Sequence, residues 1–591
     1  MLDLIIKGGL VVDGTGTEPY SADVGVEGGR IAAIGRITAD AARTVDAAGQ
    51  VVSPGFIDIH THYDAQLSWD ASASPSPLHG VTTVIAGNCG FTIAPLEASE
   101  AEYLLHMLGR VEGIPVAALK AGLDWDWRSF GEWMGRFEGN LGPNAGFLVG
   151  HSTLRRVVMG SESNGVASPE QIARMERLLE DALSSGAMGF SSSRSPTHLD
   201  GDRNPVPSRA ASDDELIRLA AATGRHPGTQ LEYIPTAGRF GNEHVAMMTA
   251  LSRAADRPIN WNTLRVESDD RAHADHQLAS YDQAAAAGAC VRALTYPDVT
   301  KRRLFMSTGV GLGHVPGWSD VMGMSLEERR RALSDPAVRK QMRAGAASVP
   351  DNDPFIGIAR YQRYVFAETF APENEGVRGR LVAEVAQERG LDPLDVLLDV
   401  VLADGLLTGL DLSPVADDDD CWKLRAEFAR DHRTIVGASD AGAHLDMMCG
   451  SVYTTTVLRT MVRDRGLLSL EEAVHLLTEK PARLYGLRGR GRIAEGYAAD
   501  LVIFDPATVG PRELQTVQDL PGNAARQYAA SDGIDRVFVN GTELVSGGEL
   551  TEARPGTLLR STTDLDTVTV ADALALGVAE RDRVARTSRG R

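Results

Sequence analysis

The sequence predicts an α/β protein, a (β/α)8 TIM barrel joined to a small β-sandwich domain formed from both chain ends. From residue 56 onward, short β-rich runs alternate with long helical patterns, which is typical of parallel strands joined by helical crossovers. Near both ends of the chain, short strands punctuated by Gly, Asp and Asn indicate hairpins instead. The eight runs of the predicted barrel are residues 57–62, 81–86, 146–151, 187–192, 228–234, 258–264, 289–296 and 433–440.

Helix signals lie between most of these runs. Ser168 followed by Pro169 is a typical N-cap and first helical residue. Ser212 with Glu215 three residues later predicts a capping box. A later helical pattern should break before Pro336. Eight strands alternating with helices favour a barrel, in which the chemistry lies at the carboxyl ends of the strands.

The same patterns divide the chain. Residues 1–55 and 485–560 are assigned to the β-sandwich domain, and residues 56–484 to the barrel. The long gap between the seventh and eighth runs is an insertion at about 297–432, which we expect to cover the barrel mouth and shape the pocket. The polar residues 561–591 are expected to form a C-terminal tail or arm.

The charge balance restricts the partners. The chain has 59 Lys and Arg against 80 Asp and Glu, a formal net charge of −21. This argues against nucleic acid or an anionic membrane as the main partner and leaves a small-molecule substrate, with homo-oligomer formation an open question. The sequence has no apolar run of spanning length and no leader pattern, so we expect a cytoplasmic protein.

The strongest single motif is the pair His60 and His62 at the end of the first run. Side chains alternate along a strand, so two histidines two residues apart point to the same side. Two imidazoles on one face at the end of a strand are suited to hold one metal ion. Two histidines with purely structural roles are the alternative.

Several further segments, taken in order, resemble the amidohydrolase superfamily. Within it the chain looks like the N-acyl-D-amino-acid deacylase (D-aminoacylase) group, mainly because of the Gly-Asn-Cys-Gly-Phe sequence at 87–91. The resemblance covers nearly the whole chain. The segments that carry it are residues 6–16, 54–62, 80–84, 87–91, 150–155, 186–191, 439–440 and 496–502.

The resemblance implies roles for four residues. His60 and His62 correspond to metal ligands on the first strand, and Cys89 to a thiolate ligand that can bridge two metals. Asp440 corresponds to the aspartate that ends the eighth strand, binds metal and takes the proton of the attacking water. The chemistry agrees, because a divalent metal makes hydroxide available near neutral pH, a carboxylate can relay a proton, and a thiolate favours zinc.

The chain also departs from the family pattern. Relatives usually present a histidine at the ends of strands five and six, whereas residues 229–233 and 260–264 contain none. We therefore expect one Zn²⁺ per chain at His60, His62 and Asp440, with Cys89 as a candidate fourth ligand. Glu232 is a candidate substitute ligand or proton shuttle. The arginine that follows the aspartate in the deacylases, where it holds the substrate carboxylate, is also missing.

Four further residues are candidates for the site, each with a plainer alternative. His151 or His444 could steady the oxyanion. The alternative for His151 is a hydrogen-bonded structural histidine. His444 is a candidate substrate contact, and its alternative is a histidine on a helix surface. Arg194 could bind a substrate carboxylate, although a salt bridge within its loop would also explain it. His198 follows the same strand and is a candidate substrate contact.

These observations predict a zinc-dependent hydrolase of a non-peptide C–N bond, most simply an amide. Asp440 is the expected general base and acid, and His151 and Glu232 are candidate catalytic groups. One alternative is cyclic-amide hydrolysis or deamination at the same site. A second alternative is a non-catalytic protein that keeps the fold without its metals.

Overall fold

The computed structural model describes residues 1–237, 240–266, 268–351, 353, 356–414 and 416–590. Its centre consists of two parallel sheets, and each of the eight runs predicted from the sequence overlaps a strand of one of them. A three-stranded sheet contains Phe56–Asp58, Val81–Ala86 and Asn144–Phe147. A six-stranded sheet contains Val149–Gly150, Gly189–Ser193, Gln230–Ile234, Ile259–Leu264, Val291–Thr295 and Thr434–Val436.

The two parallel sheets adjoin at both margins. On one side, strand Asn144–Phe147 is followed after a single residue by strand Val149–Gly150. On the other side, Thr61 and Ala441 form a parallel bridge, and the N–H of His62 donates to the carbonyl oxygen of Ala441 at 2.7 Å. The segment that carries the two histidines is therefore tied to the segment that follows the last strand.

Helices occupy the connections between these strands. Pro169–Ser184 begins as predicted. The Ser168 hydroxyl accepts from the Gln171 N–H, and the Gln171 side-chain oxygen accepts from the Ser168 N–H. The helices around the parallel strands are Ala101–Val111, Val116–Gly122, Phe130–Gly135, His151–Met159, Pro169–Ser184, Asp213–Gly224, Asn242–Ala255, Arg271–Ala286, Asp419–Arg430, Tyr453–Thr456, Leu470–Leu477 and Glu479–Tyr485, with a π-helix at Val457–Asp464.

The capping box predicted at Ser212 is only half formed. The Ser212 hydroxyl accepts from the Glu215 N–H at 3.2 Å, as expected. The Glu215 side chain does not accept from the Ser212 N–H, because it is buried against the Arg155 guanidinium and the His151 ring. A buried cation and an imidazole compete successfully for a carboxylate that the local pattern assigns to the helix end.

The insertion between the seventh and eighth strands has a hydrophobic core of its own around Trp318, Tyr364 and Leu397. As predicted, the chain breaks before Pro336, and Asp335 ends one helix and caps the next. The helices are Ser319–Met322, Leu326–Ser334, Pro336–Ala347, Ile356–Ala359, Val382–Arg389 and Pro393–Ala403. An antiparallel sheet of Arg303–Leu304, Gly409–Asp411 and Val365–Glu368 accompanies them.

Both chain ends contribute to a nine-stranded mixed sheet with its own core, which includes Ile6, Val52 and Ile503. Its strands are Leu2–Val11, Tyr20–Glu27, Arg30–Gly35, Ala41–Asp46, Val51–Pro54, Leu501–Phe504, Ile534–Val539, Thr542–Ser546 and Glu549–Leu550. Two further pairs are Gly510–Pro511 with Ser531–Asp532, and Gln515–Leu520 with Ala524–Tyr528.

The closing segment, expected as a polar tail or arm, contains the short helix Ser561–Asp564 and the long helix Val570–Gly590. The long helix is attached to the parallel sheets, since Ala573 is buried and its carbonyl oxygen accepts from Arg292 at 2.6 Å. Arg591 lies outside the described residues. Among the helices that are described, none combines the length and the apolar character needed to cross a membrane.

Candidate metal centre

Three donor side chains converge where the first two parallel strands end. His60 and His62 follow strand Phe56–Asp58, and Cys89 follows strand Val81–Ala86. The Cys89 Sγ lies 3.3 Å from His60 Nε2 and 3.7 Å from His62 Nε2. All three residues are buried, and their donor atoms lie within 4.8 Å of one another.

Asp440 approaches the same atoms from the segment after the last strand, Thr434–Val436. Its Oδ1 lies 3.2 Å from His60 Nε2 and 3.7 Å from His62 Nε2. Burial opposes ionisation of this carboxyl, but the hydrogen bonds from His60 and His62 hold the pKa of Asp440 well below its usual range. Its side chain remains 33% exposed, whereas both histidines are almost fully buried. A charged carboxylate therefore forms the accessible side of the cluster.

The donor set fits a zinc-like ion. Metal–ligand bonds of about 2.0–2.3 Å place tetrahedral ligands about 3.3–3.8 Å apart, close to the separations found here. Imidazole, thiol and carboxylate are also the ligand types that such an ion prefers. Burial raises the pKa of the Cys89 thiol well above its ordinary value, and nearby carboxylates such as Glu232 raise it further. A cation would favour the thiolate instead.

Each histidine has a partner on the ring nitrogen that faces away from the cluster. His62 Nδ1 lies 3.5 Å from Glu112 Oε1, and His60 Nδ1 lies 3.0 Å from the Asn262 amide nitrogen. Burial lowers the pKa of His62, but Glu112 and Asp440 outweigh this effect and raise it to about 9. These contacts turn both Nε2 atoms toward Cys89 and Asp440. The carboxylate of Glu112 beside His62 is the partner typical of a metal-binding histidine, whereas His60 faces an amide.

Glu112 and Asn262 were not expected at the cluster from the sequence. Glu112 follows helix Ala101–Val111 and is buried, and burial raises its pKa to about 7. No motif marks it, because it meets His62 only through the fold. Asn262 lies in residues 260–264, a segment that stood out only because it lacks the expected histidine. In the structure its amide nitrogen lies beside His60 Nδ1.

Glu232 and Asn262 occupy the ends of the fifth and sixth strands, where a histidine was expected. The Asn262 amide donates to Glu232 Oε1, and the Cys89 N–H donates to Glu232 Oε2 at 2.8 Å. Burial raises the pKa of Glu232 to about 8. Glu232 is therefore brought to the cluster, but both of its oxygens are already engaged.

The backbone around the cluster is strained. Cys89, Asp440 and His444 have φ values of +60°, +51° and +52°, in the left-handed region that non-glycine residues seldom adopt. Gly442 packs so closely that an added Cβ would come within 2.6 Å of the His62 carbonyl oxygen. Such outliers persist where the surrounding structure holds them, and they concentrate at functional sites.

Two of the candidate substrate contacts lie near the cluster. The His198 ring accepts or donates a hydrogen bond with Ser193 Oγ at 2.9 Å and packs against Phe91. Burial lowers the pKa of His198 to about 3, and the neighbouring His444 and His62 lower it further. Burial likewise lowers the pKa of His444 to about 4, while Asp440 opposes the change. Both rings are therefore neutral at pH 7.

The structure does not support site roles for His151 and Arg194. His151 begins helix His151–Met159 and is fully buried, with Nδ1 bonded to Ser192 Oγ and Nε2 to Glu215 Oε1, both at 2.8 Å. Neither ring nitrogen is left for an oxyanion. Arg194 forms an ion pair with Asp213, the first residue of helix Asp213–Gly224, at 2.7 Å and donates to the Ala211 carbonyl oxygen, so its guanidinium is already engaged.

Sequence comparison finds the same family that the motifs suggest. The amidohydrolase family matches residues 43–545. The D-aminoacylase of Alcaligenes xylosoxydans xylosoxydans is 30% identical over 564 residues, which cover 95% of this chain and 98% of that protein. The N-acyl-D-glutamate deacylase of the same organism is 31% identical over 575 residues, which cover 95% of this chain and 96% of that one.

Solved structures give a consistent result. A D-aminoacylase described as having a binuclear metal center has a TM-score of 0.62 at 28% identity, covering 95% of this chain and all of that one. The N-acyl-D-glutamate deacylase of Bordetella bronchiseptica, complexed with zinc and a phosphonate inhibitor, has a TM-score of 0.62 at 25% identity. That match covers 95% of this chain and 99% of the other.

Proposed function

The chain belongs to the amidohydrolase family, and on this premise we propose that it is a zinc-dependent hydrolase of amide bonds outside peptides. The substrates we propose are N-acyl-D-amino acids, the class named for its relatives. The observation that carries the proposal is the convergence of His60, His62 and Cys89 on one point, beside a charged and accessible Asp440.

We further propose that the parallel strands close into a (β/α)8 barrel spanning residues 56–484, with Asn144–Phe147 and Val149–Gly150 together serving as its third strand. The two margins at which the parallel sheets adjoin support closure, including the bridge between Thr61 and Ala441. The nine-stranded sheet would form the β-sandwich of residues 1–55 and 485–560. Strand Leu2–Val11 supports this, because it pairs with three neighbours and shifts register between Ile6 and Gly9.

The proposed metal ligands are His60, His62 and Asp440, with Cys89 as the fourth. A single zinc ion is favoured because Glu232 and Asn262 stand where a second ion would need its own ligands. The Glu232 carboxylate already accepts from the Cys89 N–H and the Asn262 amide. An Asn amide is in addition a weaker zinc ligand than an imidazole.

Bound zinc would polarise the amide carbonyl and lower the pKa of a water molecule toward neutrality. Asp440, ionised at neutral pH, accepts a proton from the attacking water and delivers it to the leaving nitrogen. Glu112 and Asn262 hold the rings of His62 and His60 in their orientations. His198 and His444, both neutral, lie near Asp440, and an imidazole N–H from either would serve to donate to the substrate.

The alternatives are less well supported. Deamination or cyclic-amide hydrolysis with Glu232 as a proton shuttle would need a carboxylate facing the substrate, whereas both Glu232 oxygens are engaged. A non-catalytic protein has no physical need for strained backbone at Cys89 and Asp440 or for an ionised carboxylate beside two buried imidazoles.

The direct test combines metal content with a substrate panel. We expect elemental analysis of the purified protein to find about one zinc ion per chain. The loaded protein should hydrolyse N-acetyl-D-amino acids faster than their L enantiomers, cyclic imides or aminated heterocycles. About two ions per chain would contradict the single-site proposal. A protein that takes up no metal from added zinc would contradict the hydrolase and favour the non-catalytic alternative.

We expect Glu112→Gln to weaken zinc binding by about 10- to 100-fold, because partners that orient metal-bound histidines typically contribute this much. Glutamine keeps the shape of the Glu112 side chain but removes the negative charge that faces His62 Nδ1. Competition with a chelator of known affinity measures the change. Glu97→Gln, at an exposed glutamate, is the matched control, and equal zinc affinity in the two variants would disprove the role.

A further inference from the structure

Arg302 lies on the loop that follows the seventh strand, Val291–Thr295. This strand pairs in parallel with Thr434–Val436, with Thr295 opposite Val436. Asp440 follows that neighbouring strand. Because the carboxyl ends of adjacent parallel strands lie side by side, the loops that carry Arg302 and Asp440 share one edge of the sheet.

The backbone of Arg302 is fixed on both sides. Its carbonyl oxygen accepts from the Leu412 N–H at 2.9 Å, and the next residue, Arg303, donates its N–H to the Met447 carbonyl oxygen at 2.8 Å. Met447 in turn belongs to the turn that begins at Asp440, since its N–H donates to the His444 carbonyl oxygen. Arg302 is therefore held where the insertion meets the Asp440 turn.

Two neighbouring arginines have different surroundings at this junction. The Arg303 guanidinium is buried and forms ion pairs with Asp411 at 2.6 Å and Glu368 at 2.7 Å. Among the described residues, no hydrogen bond or ion pair reaches the Arg302 guanidinium, and the residue as a whole is exposed. Arg303 thus anchors the insertion, and Arg302 keeps five N–H donors available.

The charge of Arg302 reaches the neighbouring loop. Burial lowers the pKa of Arg302, and the nearby Asp440 carboxylate opposes the change. Its charge also contributes to the lowered pKa of His444. Arg302 therefore interacts electrostatically with both Asp440 and His444, which the shared edge of the sheet places beside it.

We propose that Arg302 binds the carboxylate of the substrate and thereby selects N-acyl amino acids over neutral amides. The inference rests on the proposed function, which it deepens by assigning the acid-recognising residue. The other candidate, Arg194, is neutralised by Asp213, and residues 440–446 contain no Arg or Lys. A guanidinium matches a carboxylate with two parallel hydrogen bonds, so an unpaired arginine beside the reacting groups is suited to this task.

The test compares an acid with its amide. Zinc-loaded wild type, Arg302→Ala, Arg302→Lys and Arg330→Ala are assayed with N-acetyl-D-leucine and N-acetyl-D-leucinamide. Arg330 is the matched control, an exposed arginine on the insertion helix Leu326–Ser334. We expect Arg302→Ala to lower the acid-over-amide ratio of kcat/KM by about 10- to 100-fold. Arg302→Lys should keep part of the preference, because it retains the charge without the two-pronged contact.

A binding measurement separates this inference from the proposed function. Methanesulfonyl-D-leucine and methanesulfonyl-D-leucinamide have an N-sulfonyl group in place of the N-acyl group that deacylation would cleave, so calorimetry compares their Kd values in the same four proteins. If the wild type hydrolyses no N-acyl amino acid but Arg302→Ala still loses a preference for the acid, the proposed function fails and the inference stands. An acid preference that is absent in the wild type, or unchanged in Arg302→Ala, overturns the inference whether or not hydrolysis is seen.

Discussion

We expect Asp440→Asn to lower kcat/KM for amide hydrolysis by about 100- to 10,000-fold, the range typical of a lost general base and acid. Asparagine keeps the size of the side chain, but its amide cannot take the proton of the attacking water. Asp440 is suited to that task because the hydrogen bonds from His60 and His62 outweigh its burial and keep it ionised. Steady-state kinetics with N-acetyl-D-leucine, together with zinc content, measure the effect.

The zinc content separates the two proposed roles of Asp440. Retained zinc with lost activity identifies the proton relay, whereas loss of both identifies a ligand without which the site does not load. Asp464→Asn, at an aspartate paired with Arg463 on the surface, is the matched control and should behave as the wild type. Activity of Asp440→Asn within about threefold of the wild type would contradict both roles.

The second large effect is expected for His60→Ala. This variant removes the ring whose Nε2 lies closest to both Cys89 Sγ and Asp440 Oδ1. We expect zinc content to fall from about one ion per chain to near zero and kcat/KM to fall by about 1,000-fold or more, because both the ion and its effect on water are lost. Elemental analysis and kinetics measure the two losses.

His106→Ala is a suitable control for this variant, since His106 is a half-exposed histidine on a neighbouring helix. Circular dichroism of both variants would show that the fold is retained. If His60→Ala kept its zinc, His60 would be a structural histidine and the proposed centre would be wrong. Loss of zinc without loss of activity would show that hydrolysis does not depend on this ion.

Much of the architecture could be predicted because it follows from local sequence patterns. Each of the eight runs overlaps a parallel strand, and the helix that begins after Ser168 has its predicted cap. Alternating strands and helices of this length have few other arrangements. The capping box predicted at Ser212 is only half formed, because the Glu215 side chain belongs to a buried network with His151 and Arg155 that no local pattern predicts.

The residues of the candidate site likewise fall into those whose positions local motifs predict and those whose positions depend on the fold. The convergence of His60, His62, Cys89 and Asp440 could be predicted because each follows a strand within a recognisable motif, and parallel strands bring such positions to one edge. The positions of Glu112, Asn262 and Arg302 near this cluster could not, because they depend on contacts between segments distant in sequence. The position of His151 after a strand likewise did not reveal that Ser192 and Glu215 bond both of its ring nitrogens.

The way in which the insertion is attached has an evolutionary consequence. The strands at which it leaves and rejoins the rest of the chain, Arg303–Leu304 and Gly409–Asp411, pair side by side, and the residues between them have their own core. Because the two ends already meet, the intervening segment can be lengthened, shortened or exchanged at little cost in loop closure. Such a change leaves the four converging side chains untouched. The fold therefore lets the segment between these two strands vary while the cluster keeps its arrangement.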